Sequence, residues 1–198
     1  MVDLFKLQDQ VVARSANTLG YELVRAEAAR GALSRNPDAV DLTMRGLARL
    51  NQFPLTKDNN DVARALFEQA LKIDPEDPDA LAGLAATYTA SFTFGWTTSG
   101  IDYDARIIGQ ADRALSITPN TMSAFLAKAG YLVVSRRWSE SLGVIDAGLA
   151  INPNIAALYA LRGVAENSMG RFEQAKSDLE QAMRLTRAAP QSASFTCS

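Results

Sequence analysis

One 34-residue pattern occurs twice without a gap between Met122 and Thr186, and it constrains the fold more than any other feature. In the first copy the pattern residues are Phe125, Ala129, Leu132, Ser141, Ile145, Gly148 and Pro153. In the second copy they are Tyr159, Gly163, Glu166, Ala175, Leu179, Ala182 and Arg187. In each copy the first three positions follow the order large, small, large, and the next three follow the order small, large, small. This order is typical of two antiparallel helices in close contact. The sequence therefore predicts an all-α solenoid of stacked helix pairs.

Two less regular copies precede these, and together they predict an array over residues 37–187. The predicted repeats span about 39–75, 78–119, 122–153 and 156–187. Five extra residues fall in the polar stretch Asn51–Asn60 of repeat one, where Asn60 or Asp61 is predicted to cap the next helix. Ten extra residues fall in repeat two, centred on Ser91–Gly100.

The two ends of the chain do not follow the pattern. Residues 1–36 are predicted to form one or two helices, because Leu4, Leu7 and Val11 share one helical face. This N-terminal cap is expected to cover the open end of repeat one. Residues 188–198 have no helical periodicity and are predicted to be a disordered tail.

Composition argues against several classes of function. The chain has a net charge of −2, no histidine, and a single cysteine, Cys197. The usual general base, Cys-rich metal sites and a general attraction to nucleic acid are therefore missing. There is no 18-residue apolar run and no signal peptide, so we expect no membrane insertion and a cytoplasmic setting. We predict no enzymatic activity, no cofactor and no metal.

The pattern residues resemble the tetratricopeptide (TPR) repeat over residues 39–186. Repeat two supports the resemblance through Leu81, Leu84, Ala85 and Tyr88. The resemblance implies a right-handed α-solenoid of about four TPR helix pairs, with extra N-terminal helices. It also implies a scaffold that binds a protein or peptide in its concave groove.

A narrower resemblance concerns DLFKLQDQVVARSANTL at residues 3–19 and NPDAVDLTMRG at 36–46. Both stretches are similar to the segment after the catalytic domain in bacterial class III adenylate cyclase-like proteins. This resemblance implies a regulatory or partner-binding region of a larger signalling protein. The cyclase domain itself is absent from the chain, so no catalytic residue is carried over.

The TPR resemblance also implies which residues line the groove. Its positions fall on three first helices, at Asp79, Ala82, Ala86, Thr89, Leu126, Gly130, Val133, Val134, Ala160, Val164 and Asn167. These side chains are mostly small and apolar, and they lack the Lys, Arg and Asn set of TPR domains that clamp a terminal carboxylate. A helix or apolar peptide is therefore the expected ligand, unless the chain's own N-terminal helix or the repeat-two insertion fills the groove.

Two further surfaces are candidates for contact. Phe92, Phe94 and Trp96 in the insertion either anchor a ligand or pack the long loop against repeats one and two. In the last predicted helix, Leu179, Met183 and Leu185 form the stripe that a following repeat would cover. Homo-oligomerisation through this uncapped end, or intramolecular regulation of a cyclase-like domain, are the alternatives to partner binding in the groove.

Overall fold

The computed structural model describes residues 37–188, and within that range it contains eight α-helices and no strand. The predicted N-terminal cap, residues 189–198 and Cys197 lie outside the described residues. The helices are α1 (Pro37–Leu50), α2 (Lys57–Ile73), α3 (Pro78–Thr93), α4 (Tyr103–Ile117), α5 (Met122–Val134), α6 (Trp138–Ile151), α7 (Ala156–Ser168) and α8 (Phe172–Ala188).

The helices form four consecutive pairs, which confirms the predicted all-α solenoid. We call the first helix of each pair the A helix (α1, α3, α5, α7) and the second the B helix (α2, α4, α6, α8). Each A helix packs on its own B helix and on the A helix of the next pair. Consecutive B helices pack on one another less closely than consecutive A helices do. The A helices therefore form the inner layer of the stack.

Small residues let the helices approach one another, as the pattern predicts. A Cβ added at Gly163 of α7 would lie 2.8 Å from the Leu179 side chain of α8. A Cβ added at Gly148 of α6 would lie 2.8 Å from Leu158 of α7. Both distances are shorter than ordinary van der Waals contact, so these sites hold the register of the last two repeats.

The core is distributed along the stack, as expected for a solenoid in which each repeat contacts only its neighbours. Its fully buried large side chains include Phe67, Leu81, Ile107, Leu132 and Ile145. Among the described helices, none combines the length and the apolarity needed to cross a bilayer.

The insertion in repeat one is the loop 51–56, and the predicted cap after it is wrong. Thr56 is the N-cap of α2, and its hydroxyl accepts a hydrogen bond from the Asn59 amide at 3.2 Å. Asn60 lies one turn into α2 and is fully buried. Its amide donates to the Thr87 carbonyl at 3.2 Å and to the Ser91 hydroxyl at 2.9 Å, so it joins α2 to α3.

The insertion in repeat two is divided between helix and loop. The helix α3 runs to Thr93, and the loop 94–102 follows. The turn out of the helix uses Gly95 at a φ of 71°, a left-handed conformation that costs glycine little. Asp102 then caps α4, because its carboxylate accepts a hydrogen bond from the Ala105 amide at 3.1 Å.

Candidate functional site

The first candidate surface is the face of α3, α5 and α7 that carries the predicted groove residues. Val134, Val164 and Asn167 are exposed on it. The partly buried members are Asp79, Ala86, Thr89, Leu126, Gly130 and Ala160. The α3 and α5 parts of this face touch directly, because the Thr89 hydroxyl lies 3.1 Å from the Ala127 carbonyl. The structure therefore brings most of the predicted residues onto one layer of helices.

Two predicted groove residues do not belong to the open surface. Ala82 is fully buried and Val133 is nearly so. Ala82 packs in a cluster of alanines from α3, α4 and α5, where the helices are in close contact. A partner could reach neither side chain without separating the helices, so both are scaffold residues.

Both cations on the α5 and α7 helices are held away from this face by aspartates of B helices. The Lys128 ammonium lies 2.6 Å from Asp112 of α4. The Arg162 guanidinium contacts Asp146 of α6 and Asp178 of α8. With these charges paired elsewhere, the exposed residues of the face on α5 and α7 are neutral, and Val134 and Val164 are its exposed apolar side chains.

In the insertion, Phe92 has a structural role. Its ring packs edge-on against Tyr131 of α5 at a centroid distance of 5.1 Å and tilts against Tyr103 of α4 at 5.5 Å. Aromatic pairs at such distances stabilise a fold beyond the area that they bury. Phe92 therefore fastens the extended end of α3 to repeats two and three.

A polar network supports the same junction. The Tyr131 hydroxyl donates a hydrogen bond to Asp104, which also pairs with the Arg137 guanidinium at 2.7 Å. Burial of the phenol, together with this hydrogen bond to a carboxylate, raises the pKa of Tyr131 to about 12. Hydrogen bonding to Glu140 raises the pKa of Arg137 above its ordinary value. Tyr131 is therefore a neutral hydrogen-bond donor throughout the physiological range.

Phe94 and Trp96 differ from Phe92, because they stack on each other at the surface. Their ring centroids are 4.9 Å apart and their planes are 28° apart. Phe94 is exposed and Trp96 is partly buried. The predicted aromatic triplet is thus divided into one packing residue and one stacked pair at the surface.

The exposed apolar stripe on α8 contains fewer residues than predicted. Leu179 and Met183 are both exposed and lie about 40° apart around the helix axis, given about 100° per residue. Leu185 is about 120° from Leu179 by the same geometry and does not share their face. Leu179 also contacts Gly163, so only part of its side chain is available to another molecule.

Sequence reasoning missed two features. Phe53 in the loop 51–56 is 99% exposed. The sequence predicted only a polar turn there and did not predict an exposed aromatic side chain. Glu166 of α7 and Asp178 of α8 are 9% and 7% exposed and lie beside Arg162, a buried acidic pair that was not predicted. A comparison of residues 34 positions apart could have found this pair, because repeat three has the apolar residues Leu132 and Val144 at the same positions.

No group of three or more Asp, Glu, Cys or His side chains within residues 37–188 is arranged to hold a metal ion. The pair formed by Glu166 and Asp178 therefore has fewer ligands than a metal centre needs.

Comparisons with known proteins agree with this architecture. Residues 156–188 match the tetratricopeptide repeat family model. The chain is similar in structure to TTC0263, a TPR protein of Thermus thermophilus, with 22% identity, a TM-score of 0.62 and coverage of 75% of each chain. It is also similar to PilF of Pseudomonas aeruginosa, with 20% identity, a TM-score of 0.61, and coverage of 78% of this chain and 64% of that one.

A third similar structure is MamA of Desulfovibrio magneticus RS-1, with 19% identity, a TM-score of 0.55 and coverage of 78% of each chain. No curated protein matches the sequence significantly. At these identities the structural similarities establish the fold alone. The chain therefore has the fold of TPR proteins, and its last repeat also matches the TPR sequence pattern.

Proposed function

We propose that this TPR array is a non-enzymatic cytoplasmic scaffold that binds a helix or apolar peptide of another protein in the concave groove of α3, α5 and α7. The observation that carries the proposal is the exposed apolar face of α5 and α7, with Val134 and Val164 at its surface. An amphipathic helix fits such a face through apolar anchors three and four residues apart. Lys128 and Arg162 are paired with aspartates of B helices, which argues against a ligand held by its carboxylate.

The test begins with a library of displayed 16-residue peptides selected on the immobilised full chain. Selected sequences should be amphipathic helices, and calorimetry should then measure their affinity for wild type and variants. Val164→Asp should weaken binding about tenfold or more, because a carboxylate would be desolvated against an apolar anchor. The matched control is Ile151→Asp, which charges a similarly exposed apolar residue on the B helix α6.

Equal affinities of the Val164→Asp and Ile151→Asp variants would refute binding on this face. The sequence leaves two other occupants open, the repeat-two insertion and the chain's own segment 1–36, and the second can be tested with the same peptide. If that segment fills the groove, Leu7→Asp should increase the affinity for the selected peptide, because it would weaken the competing intramolecular contact.

A second candidate function is self-association through α8, for which the exposed Leu179 and Met183 are the supporting observation. Light scattering over a range of concentrations would then show a dimer or a larger species. Met183→Glu should dissociate it, whereas Ile117→Glu, at an exposed apolar residue of α4, should not. A monomer at all concentrations would exclude this function.

The proposal that the array regulates an adenylate cyclase-like domain rests on the resemblance of residues 3–19 and 36–46. It predicts that deleting the array from a protein that carries such a domain changes cyclase output. Unchanged output would refute it.

A further inference from the structure

Several glycines inside the helices are required by packing. A Cβ added at Gly46 of α1 or at Gly83 of α3 would overlap the ring of Phe67. Gly148 and Gly163 are constrained in the same way by leucine side chains of the neighbouring helices. At these four positions any larger residue would push two helices apart.

Gly130 in the interior of α5 is different, because neither packing nor conformation requires it. Among the described residues, a Cβ added there would meet the Thr89 methyl carbon of α3 at 3.7 Å, an ordinary van der Waals distance. The backbone of Gly130 is helical, without the positive φ that favours glycine. Glycine inside a helix is less stable than alanine. The fold therefore gives no reason for a glycine at this position.

The residues around Gly130 all carry larger side chains, so its position forms a recess in the proposed groove. Leu126 and Val134 lie one turn away on either side along α5. Thr89 lies on the α3 side, and Val164 occupies the corresponding position of α7. Gly130 is partly buried, whereas both valines are exposed. We call this site the Gly130 recess.

The polar groups beside the Gly130 recess are already engaged. The Thr89 hydroxyl lies 3.0 Å from the Ala85 carbonyl and 3.1 Å from the Ala127 carbonyl, which leaves its methyl group towards Gly130. The Lys128 ammonium is paired with an aspartate of α4. The recess therefore suits an uncharged, apolar group.

We propose that the Gly130 recess seats one large apolar side chain, such as phenylalanine or leucine, of the partner helix that binds in the groove. This inference rests on the proposed groove function and names its central anchor. The missing Cβ lets the anchor approach the backbone of α5 closely. Large side chains in fitted pockets supply most of the binding energy of an interface. A charged anchor would lose its hydration without gaining a partner.

Two glycines of the B helices provide a comparison. Gly109 of α4 and Gly143 of α6 are 34 positions apart and also lie inside helices. No described side chain would lie within 4 Å of a Cβ added at either one. Both are exposed on the other layer of helices and lie outside the groove. They share the conformational cost of Gly130 without its recess, so they are matched controls.

The first measurement is the thermal stability of the full chain with Gly130→Ala. No described side chain occupies the recess, so Tm should rise by about 2–4 °C through the helix propensity of alanine. Gly143→Ala should raise Tm by a similar amount. A lower Tm for Gly130→Ala alone would mean that segment 1–36 or a second copy of the chain already fills the recess. That result would overturn the proposal.

The second measurement is calorimetry with the tightest of the selected 16-residue peptides. Gly130→Ala should weaken binding about tenfold, because its methyl group takes the place of the anchor. Gly143→Ala should leave the affinity unchanged. Gly130→Val, which introduces the residue that α7 has at this position, should weaken binding further.

An alanine scan of the same peptide identifies the anchor. Replacing one large apolar residue of the peptide by alanine should weaken binding to wild type about thirtyfold. The same replacement should have a much smaller effect on binding to Gly130→Val, because the two changes remove one contact. Additive effects at every position of the peptide would show that no side chain enters the recess.

Equal affinities of wild type and Gly130→Ala would overturn the assignment of the recess. If Val164→Asp still weakens binding in that case, the groove function stands and only the anchor site is wrong. If Val164→Asp has no effect either, or if no peptide is selected, the groove function and the anchor site are both refuted.

Discussion

Repeats three and four share one register and differ in the polarity of the interface between their helices. In repeat three, Lys128 of α5 pairs with Asp112 of α4, and Leu132 and Val144 are apolar. The residues of repeat four that correspond to Lys128, Leu132 and Val144, each 34 positions later, are Arg162, Glu166 and Asp178. Apolar packing in one repeat is thus replaced by a buried polar cluster in the next.

This difference shows that the repeat pattern does not require polar residues at these positions. Leu132 is fully buried, so an apolar side chain satisfies the helix packing there. A buried ion pair is often no more stabilising than the apolar residues it could be exchanged for. Helix packing alone therefore does not account for the polar cluster of repeat four.

The largest difference in stability between the two repeats is expected when Arg162 or Lys128 is replaced by alanine. Arg162→Ala leaves the carboxylate of Asp178 buried without its cation, and we expect a loss of about 3 kcal/mol in the free energy of unfolding. Lys128→Ala breaks a pair whose aspartate is 52% exposed, and we expect a loss of about 0.5 kcal/mol. Urea denaturation measures both. Similar losses for the two variants would mean that the repeats are energetically alike.

A smaller effect is expected at the close contact between α7 and α8. Gly163→Ala would place a methyl group 2.8 Å from Leu179, and overpacking combined with the helix propensity of alanine should give a net loss of about 1 kcal/mol. Adding Leu179→Ile should recover most of this loss, because Ala129 and Ile145 are the corresponding pair in repeat three. Thermal denaturation of the two single variants and the double variant measures the coupling. Additive effects would contradict a direct contact.

The third difference is in pH dependence. The raised pKa of Glu166 means that the folded state holds the proton more tightly than the unfolded state. Its contribution to stability is present at low pH and is lost as the pH rises through the raised pKa. Relative to wild type, Glu166→Gln should therefore gain stability with rising pH in this range. Denaturation at several pH values tests the sign, and Leu132→Gln in repeat three should show no such trend.

The sequence predicted the fold well where packing is periodic. The small pattern residue Gly163 lies against Leu179, and Gly148 lies against Phe125, both large residues of the pattern, because the 34-residue register fixes which faces touch. The predicted N-cap of α2 was wrong because several residues of the polar turn could cap the helix. The choice of Thr56 depends on Asn60 pointing into the interface with α3.

The candidate sites were less predictable because they depend on which side chains remain accessible after stacking. Ala82 and Thr89 occupy equally plausible groove positions in the sequence, yet only Ala82 is fully buried. Phe92 and Phe94 differ by two residues and point to different surroundings, since α3 ends between them. The pairing of Glu166 with Asp178 joins two helices, and only a comparison of equivalent positions in the two repeats would have found it.

The most direct measurement converts the cluster of repeat four into that of repeat three with the triple variant Arg162→Lys, Glu166→Leu and Asp178→Val. Urea denaturation compares this variant with the wild type. We expect a free energy of unfolding equal to that of wild type or about 1 kcal/mol higher, because apolar residues of repeat three already satisfy the same packing positions. A clear loss of stability would show that repeat four requires its polar cluster and would contradict this account.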